Sequence, residues 1–119
     1  MATDAQFGAL TIAGAEARAT VRPEHARNLC KGHFPADPIL PGAYLAGLMA
    51  DLGARLLAAA RRQQADLAAL ERCVFLARAE PDSEIVVRAR LTTDFRVEAE
   101  VCAGGACAAR AVLRYRERR

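Results

Sequence analysis

At 119 residues, with 53% hydrophobic and 26% charged side chains, the chain has the length and apolar content of one globular domain with a sizeable core, and no second domain fits. The formal charge of +3, from sixteen Arg and the single Lys31 against fourteen acids, is too mild and too evenly spread for a nucleic-acid tail and suits a weakly acidic protein partner. Met1 to Leu10 holds no basic residue and includes Asp4, and no apolar run approaches the roughly 20 residues of a membrane span, so a soluble, cytoplasmic protein is expected.

No repeat, low-complexity segment or linker divides the chain, so residues 1–119 read as a single domain. Leu10 to Arg22 carries strand-compatible residues around Ala13-Gly14-Ala15, which predicts one or two strands about a turn. Pro23 to Asn28 has the makings of a short helical turn, with His25 on the surface. From Gly32 to Gly42 the prolines Pro35, Pro38 and Pro41 each fix their own φ and push the preceding residue toward extended geometry, which shapes a loop.

Pro41 is placed to open a helix, because the first helical turn has no use for its missing N–H. Leu45, Leu48, Met49, Leu52 and Leu56 then recur at helical spacing and predict a helix from about 41 to 62. Its other stripe is all small: Ala43, Ala46, Gly47, Ala50, Ala54 and Ala58. Close approach by a wrapped sheet or a partner helix is expected there, which would bury the helix on both sides.

Beyond Arg61-Arg62-Gln63-Gln64, strand patterns run roughly from Arg72 to Ala79, from Glu84 to Thr92, and from Phe95 to Tyr115 folded as a hairpin about Gly104-Gly105. A three-residue loop would set Phe95, Val97, Ala99 and Val101 opposite Leu113, Ala111, Ala109 and Cys107, apolar against apolar. A two-residue Gly-Gly turn would set Ala99 against Arg110, so the first register is expected. It turns Cys102 and Cys107 to opposite faces. With no C-x-x-C pair among Cys30, Cys73, Cys102 and Cys107, and only His25 and His33 besides, neither a metal site nor a disulfide is expected. Cys30 lies three residues before His33 and reads as a small buried hydrophobe.

The chemistry concentrates in Gly32-His33-Phe34-Pro35-Ala36-Asp37-Pro38-Ile39-Leu40-Pro41-Gly42. A proline-stiffened loop holds an imidazole near a helix N-terminus, where free backbone N–H groups stabilise negative charge on oxygen. A base beside an oxyanion site is the minimum equipment for removing a proton α to a carbonyl.

The stretch GHFPADPILPGAYLAGLMADLG, residues 32 to 53, resembles the G-H-F-P-G-x-P-x-x-P-G-x-x-x-x-E-x-M-A signature of the β-hydroxyacyl-acyl-carrier-protein dehydratases of the hotdog superfamily. The resemblance implies an α+β hotdog fold, a curved antiparallel sheet wrapped around one long helix. It further implies a dimer, homo- or heteromeric, that shares its active sites and takes an acyl chain on the phosphopantetheine of acyl carrier protein or coenzyme A, with no bound cofactor.

Carried over by motif, His33 matches the base and Gly42 the N–H donor to the thioester oxygen, with Phe34, Pro41, Tyr44 and Gly47 about the substrate. The family's acid is absent: its position falls on Gly47. Asp51, one turn further and about 6 Å along the axis, is the nearest carboxylate in sequence. Tyr44 also carries a phenol, and Asp37 reads as a turn residue. Arg27 and Lys31 flank the loop, where they meet either solvent or the phosphate of a pantetheine arm. A 3-hydroxyacyl-thioester dehydratase (a lyase) of fatty-acid or polyketide-type biosynthesis is the expected function. A weak subunit completed by a homologue and an acyl thioesterase are the alternatives.

Overall fold

The computed structural model describes residues 6–30 and 40–118, with the side chains of 28–30 excepted. The proline loop with Lys31, His33, Phe34 and Asp37 therefore lies outside the described residues, as does the side chain of Cys30.

The strands are β1 (Phe7–Ala13), β2 (Glu16–Val21), β3 (Ala65–Phe75), β4 (Ile85–Thr93), β5 (Arg96–Ala103) and β6 (Ala106–Glu117), with helices α1 (Pro23–Cys30) and α2 (Gly42–Arg61) between β2 and β3. All six strands join one sheet in the order β1-β2-β4-β5-β6-β3, and every neighbouring pair is antiparallel. This is the expected hotdog architecture, and it leaves β1 and β3 as edges.

Alternation explains which face receives the helix. Ala17, Ala19, Val87, Ala89, Val97, Ala99, Val101, Ala109, Ala111 and Leu113 are buried against α2, while intervening residues such as Arg18, Arg88, Arg90, Glu98 and Arg110 are exposed on the convex side. So many alanines on the concave face keep its surface low and bring α2 near the sheet. The helix supplies the large side chains instead, with Leu45, Leu48, Met49, Leu52, Leu56 and Leu57 buried along one seam. Each contributes about 1.5–3 kcal/mol relative to exposure. By length and composition α2 would also suit a membrane span, but here the seam is packed against the sheet.

The small stripe has a different fate from the one expected. Ala46, Ala50, Ala54 and Ala58 are half-buried, and Ala43 and Gly47 are exposed, so among the described residues α2 is fully covered on one side only. Packing requires a glycine at position 53 of α2: a Cβ there would meet the Tyr115 hydroxyl and lie 3.1 Å from its Cζ. That hydroxyl donates to the Ala50 carbonyl oxygen at 2.6 Å and ties the end of β6 to the helix. Arg62 closes the helix in the left-handed region (φ 54°), the conformation most helices reserve for glycine.

Two expectations are corrected. Strand β3 begins at Ala65 rather than near Arg72 and ends at Phe75. Ala-Asp-Leu-Ala-Ala-Leu-Glu is rich in helix formers, and register shifts between Leu67 and Ala69 and between Leu70 and Arg72 break its alternation. Pairing with β6 overrides the local propensity. The hairpin is also not in the expected register. Gly104 and Gly105 have φ of 60° and 87° and form a two-residue turn in which Ala103 faces Ala106 and Cys102 faces Cys107. A shift between Val101 and Cys102 then sets Val101 opposite Ala109, Ala99 opposite Ala111 and Val97 opposite Leu113. The bulge, which neither simple register contained, restores apolar pairing beyond the glycine turn.

Candidate active site

The site is built where the proline loop meets α2. Leu40 N–H donates to the Ala79 carbonyl at 2.8 Å, and Leu40 is buried, so the chain enters the helix from an anchored point. Pro41 caps the helix in extended geometry (φ −63°, ψ 148°) without a side-chain cap bond. Its carbonyl accepts from Tyr44 N–H at 3.0 Å and Leu45 N–H at 3.2 Å. The amides of Gly42 and Ala43 precede these first helical bonds and belong to the donors that a helix N-terminus leaves for other partners. Together with the helix dipole they form an electropositive spot.

Phe75 roofs this spot. A Cβ on Gly42 would lie 2.9 Å from Phe75 Cζ and within 3.3 Å of both Cε atoms, so glycine is what permits the ring to lie over the helix start. The ring is nevertheless 54% exposed. The chain just after it is anchored to β6, where Leu76 N–H donates to the Ala108 carbonyl at 2.7 Å. Leu67, Leu70 and Val74 on β3 and Leu76 just beyond it are 42–47% exposed, which gives this edge of the sheet an apolar border leading up to Phe75.

On the other flank, Tyr44 is half-buried and its hydroxyl lies 3.0 Å from His25 Nδ1, with the rings stacked at 5.7 Å. His25 is thus not the free surface residue expected: α1 presents it half-buried against α2. Arg27, also on α1, reaches Asp82 at 3.8 Å, both largely exposed.

The remaining motif positions separate along the helix. Gly47 is exposed, and a Cβ there would meet none of the described residues within 4 Å. Asp51 is half-buried and its carboxylate is occupied: Oδ2 accepts from the Gln6 side chain, and Oδ1 from Arg55 Nε at 3.2 Å. Arg55 in turn lies over the Phe7 ring, 5.3 Å from its centroid. Nine residues of rise place Asp51 about 13 Å along the axis from Gly42, whereas position 47 is about 7 Å away. Pro41, Gly42, Tyr44 and Phe75 therefore gather at one end, and Asp51 lies further along the helix, hydrogen-bonded to Gln6 and Arg55.

Sequence reasoning missed Phe75 and the His25–Tyr44 contact. The usable signal for Phe75 was a large aromatic in a strand that also carries exposed aliphatics. Nothing local to His25 indicates its partner on α2.

A family model described as the ApeI dehydratase matches residues 11–108. Among solved structures, the chain is similar to the dehydratase heterocomplex ApeI:P from Xenorhabdus doucetiae (16% identity, 95% of this chain and 98% of that one, TM-score 0.74). It is also similar to smu.793 from Streptococcus mutans UA159 bound to acetyl CoA (11% identity, 99% and 93%, TM-score 0.76). A thioesterase superfamily protein from Shewanella loihica PV-4 aligns as well (21% identity, 93% and 90%, TM-score 0.66). At these identities the structural likeness shows the hotdog fold alone. No curated protein matches the sequence. With the family model spanning most of the chain and the fold in agreement, the chain belongs to the ApeI-like dehydratase family.

Proposed function

We propose that the protein dehydrates 3-hydroxyacyl thioesters carried on the phosphopantetheine of an acyl carrier protein or coenzyme A, in fatty-acid or polyketide-type biosynthesis in the cytoplasm. The observation that carries this reading is the start of α2, where Phe75 packs against Gly42 directly after the His33 motif. The thioester oxygen accepts from Gly42 N–H, which stabilises the charge that develops when the α-proton leaves. His33 takes that proton, the C3–O bond breaks, its electron pair leaves with the oxygen, and the C–H electrons form the C2=C3 double bond. A proton delivered to the departing oxygen completes water. Phe34, Pro41, Tyr44 and Phe75 wall the acyl chain.

The proton donor is the unfilled role, and this supports a second reading in which a homologous partner supplies it. Gly47 is exposed where the motif calls for an acid, β3 carries an apolar edge, and the similar Xenorhabdus protein is described as a heterocomplex. A dimer formed across β3 would bring a second chain to the Phe75 end of the site. Incubating the pure protein with a 3-hydroxyacyl thioester and with its 2-enoyl product distinguishes the cases. Dehydration and hydration by the lone chain support the first reading. Activity that appears only with a homologous partner supports the second, and free thiol without dehydration points to a thioesterase.

A further inference from the structure

On the face of the sheet opposite α2, the β5–β6 hairpin collects three side chains that no step above uses. Glu100 and Cys102 are two residues apart on β5 and so share a face, and Cys107 lies directly across from Cys102 on β6. One ligand atom from each, a carboxylate oxygen and two sulfurs, lies within 4.8 Å of the others, and all three residues are half-buried. Cys107 Sγ is 3.7 Å from Glu100 Oε2.

We propose that Glu100, Cys102 and Cys107 bind a thiophilic divalent cation of the zinc class, with water as the fourth ligand. Zn–S bonds of about 2.3 Å and Zn–O bonds of about 2.1 Å in a tetrahedron separate two sulfurs by about 3.8 Å and a sulfur from an oxygen by about 3.6 Å. The Cys107–Glu100 separation already has that value, and rotation about the side-chain torsions brings Cys102 into line. Two sulfurs in the donor set select zinc, cobalt or cadmium over magnesium and calcium.

The surrounding charges fit. Two thiolates, one carboxylate and a divalent cation sum to one negative charge, and Arg88 stands over it, with Nη1 3.6 Å from Glu100 Oε1 and 4.0 Å from Cys102 Sγ. Arg110, opposite Glu100 on β6, is the other cation nearby. Cysteine ligates such a cation as the thiolate, so binding displaces the thiol protons. Each cysteine S–H bond then becomes an S–metal bond, and two protons go to solvent. Bound metal clips the two strands together at the hairpin tip.

The test is zinc titration of the reduced, full-length protein against a chromophoric chelator, with cobalt substitution as a second readout. One equivalent is expected to bind with release of about two protons, and cobalt should give a thiolate-to-metal charge-transfer band. Zinc should also raise the melting temperature. Folded Cys102→Ser and Cys107→Ser variants should lose the band and bind at least 100-fold more weakly. Glu100→Gln should weaken binding about 10-fold or more, and Cys73→Ser should bind as wild type. Three results overturn the site: wild-type protein that takes up no zinc at micromolar concentration, unchanged affinity in the folded Cys102→Ser/Cys107→Ser double variant, or a Cys102–Cys107 disulfide in protein purified without oxidant.

Discussion

Replacing Gly47 with glutamate restores a carboxyl at the position the dehydratase motif assigns to its acid, and the structure sets the consequences. The site lies mid-helix, is exposed, and offers an added Cβ no contact with a described residue within 4 Å. Fold stability should therefore rise, since glutamate is better than glycine in a helix by about 0.5–1 kcal/mol. That is a gain of a few degrees in melting temperature for a domain of this size. For activity, position 47 stands about 7 Å along the axis from the Gly42 amide, within reach of a glutamate carboxyl toward the C3 oxygen of a thioester held there. General acid catalysis is typically worth about 10² to 10⁴-fold, so dehydration by Gly47→Glu should exceed wild type by about 100-fold or more. The gain should vanish when His33→Ala is added. The assay is enoyl-thioester formation by the lone chain, with circular dichroism to confirm folding. If a homologous partner normally supplies the acid, the gain appears without the partner and shrinks in its presence. A folded Gly47→Glu protein that neither binds nor turns over any acyl thioester would refute the placement of the site. An unchanged rate, with existing activity lost in Asp51→Asn, would move the acid to Asp51.

Gly53→Ala should destabilise the fold by up to about 2 kcal/mol in a denaturant melt, because overpacking against Tyr115 costs about 1–3 kcal/mol and the helix-propensity gain returns only about 1. In a Tyr115→Phe background the same change should cost clearly less, because the clashing hydroxyl is gone. Burial, with a smaller effect from Asp51, pushes the Tyr115 phenol up. The unfolded chain then ionises first, so the stability due to the neutral phenol is fully present below about pH 10 and falls as pH rises above it. Tyr115→Phe should flatten that alkaline loss in a series of melts. Light scattering at micromolar concentration should show a dimer, and Leu70→Glu on the β3 edge should shift it toward the 12.8 kDa monomer. A monomer in the wild type would contradict the pairing.

Legibility in the sequence followed the strength of local pattern. Helix α2 was readable because Leu45, Leu48, Met49, Leu52 and Leu56 repeat at one period, and all are buried. The start of β3 was not, because Ala65 to Glu71 favours a helix locally and is made a strand by its long-range pairing with β6. Of the hairpin residues expected on the apolar face, Val97, Ala99, Val101, Ala109, Ala111 and Leu113 do pack in the core, whereas Cys107 turns to the other face and the cross-strand partners differ. Sliding a strand by two residues leaves every side chain on the same face, so an apolar pattern alone cannot detect it. The cysteine pair was hidden for a different reason: at the hairpin tip the two-residue turn shifts the pairing by one residue, which turns Cys107 to the face of Cys102. The Gly42 position was legible through the motif. Its cover by Phe75 and the His25–Tyr44 contact were not, since both join elements far apart in sequence.

Deuterium exchange separates proton abstraction by His33 from the delivery of a proton to the leaving oxygen. Protein incubated in D₂O with a 3-hydroxyacyl thioester should introduce deuterium at the α-carbon, followed by mass spectrometry, even where net dehydration is slow. The exchange should fall by at least about 100-fold in His33→Ala. Undiminished exchange in His33→Ala, or thiol release with no deuterium at the α-carbon, would contradict the assignment of a base and an oxyanion donor at the start of α2.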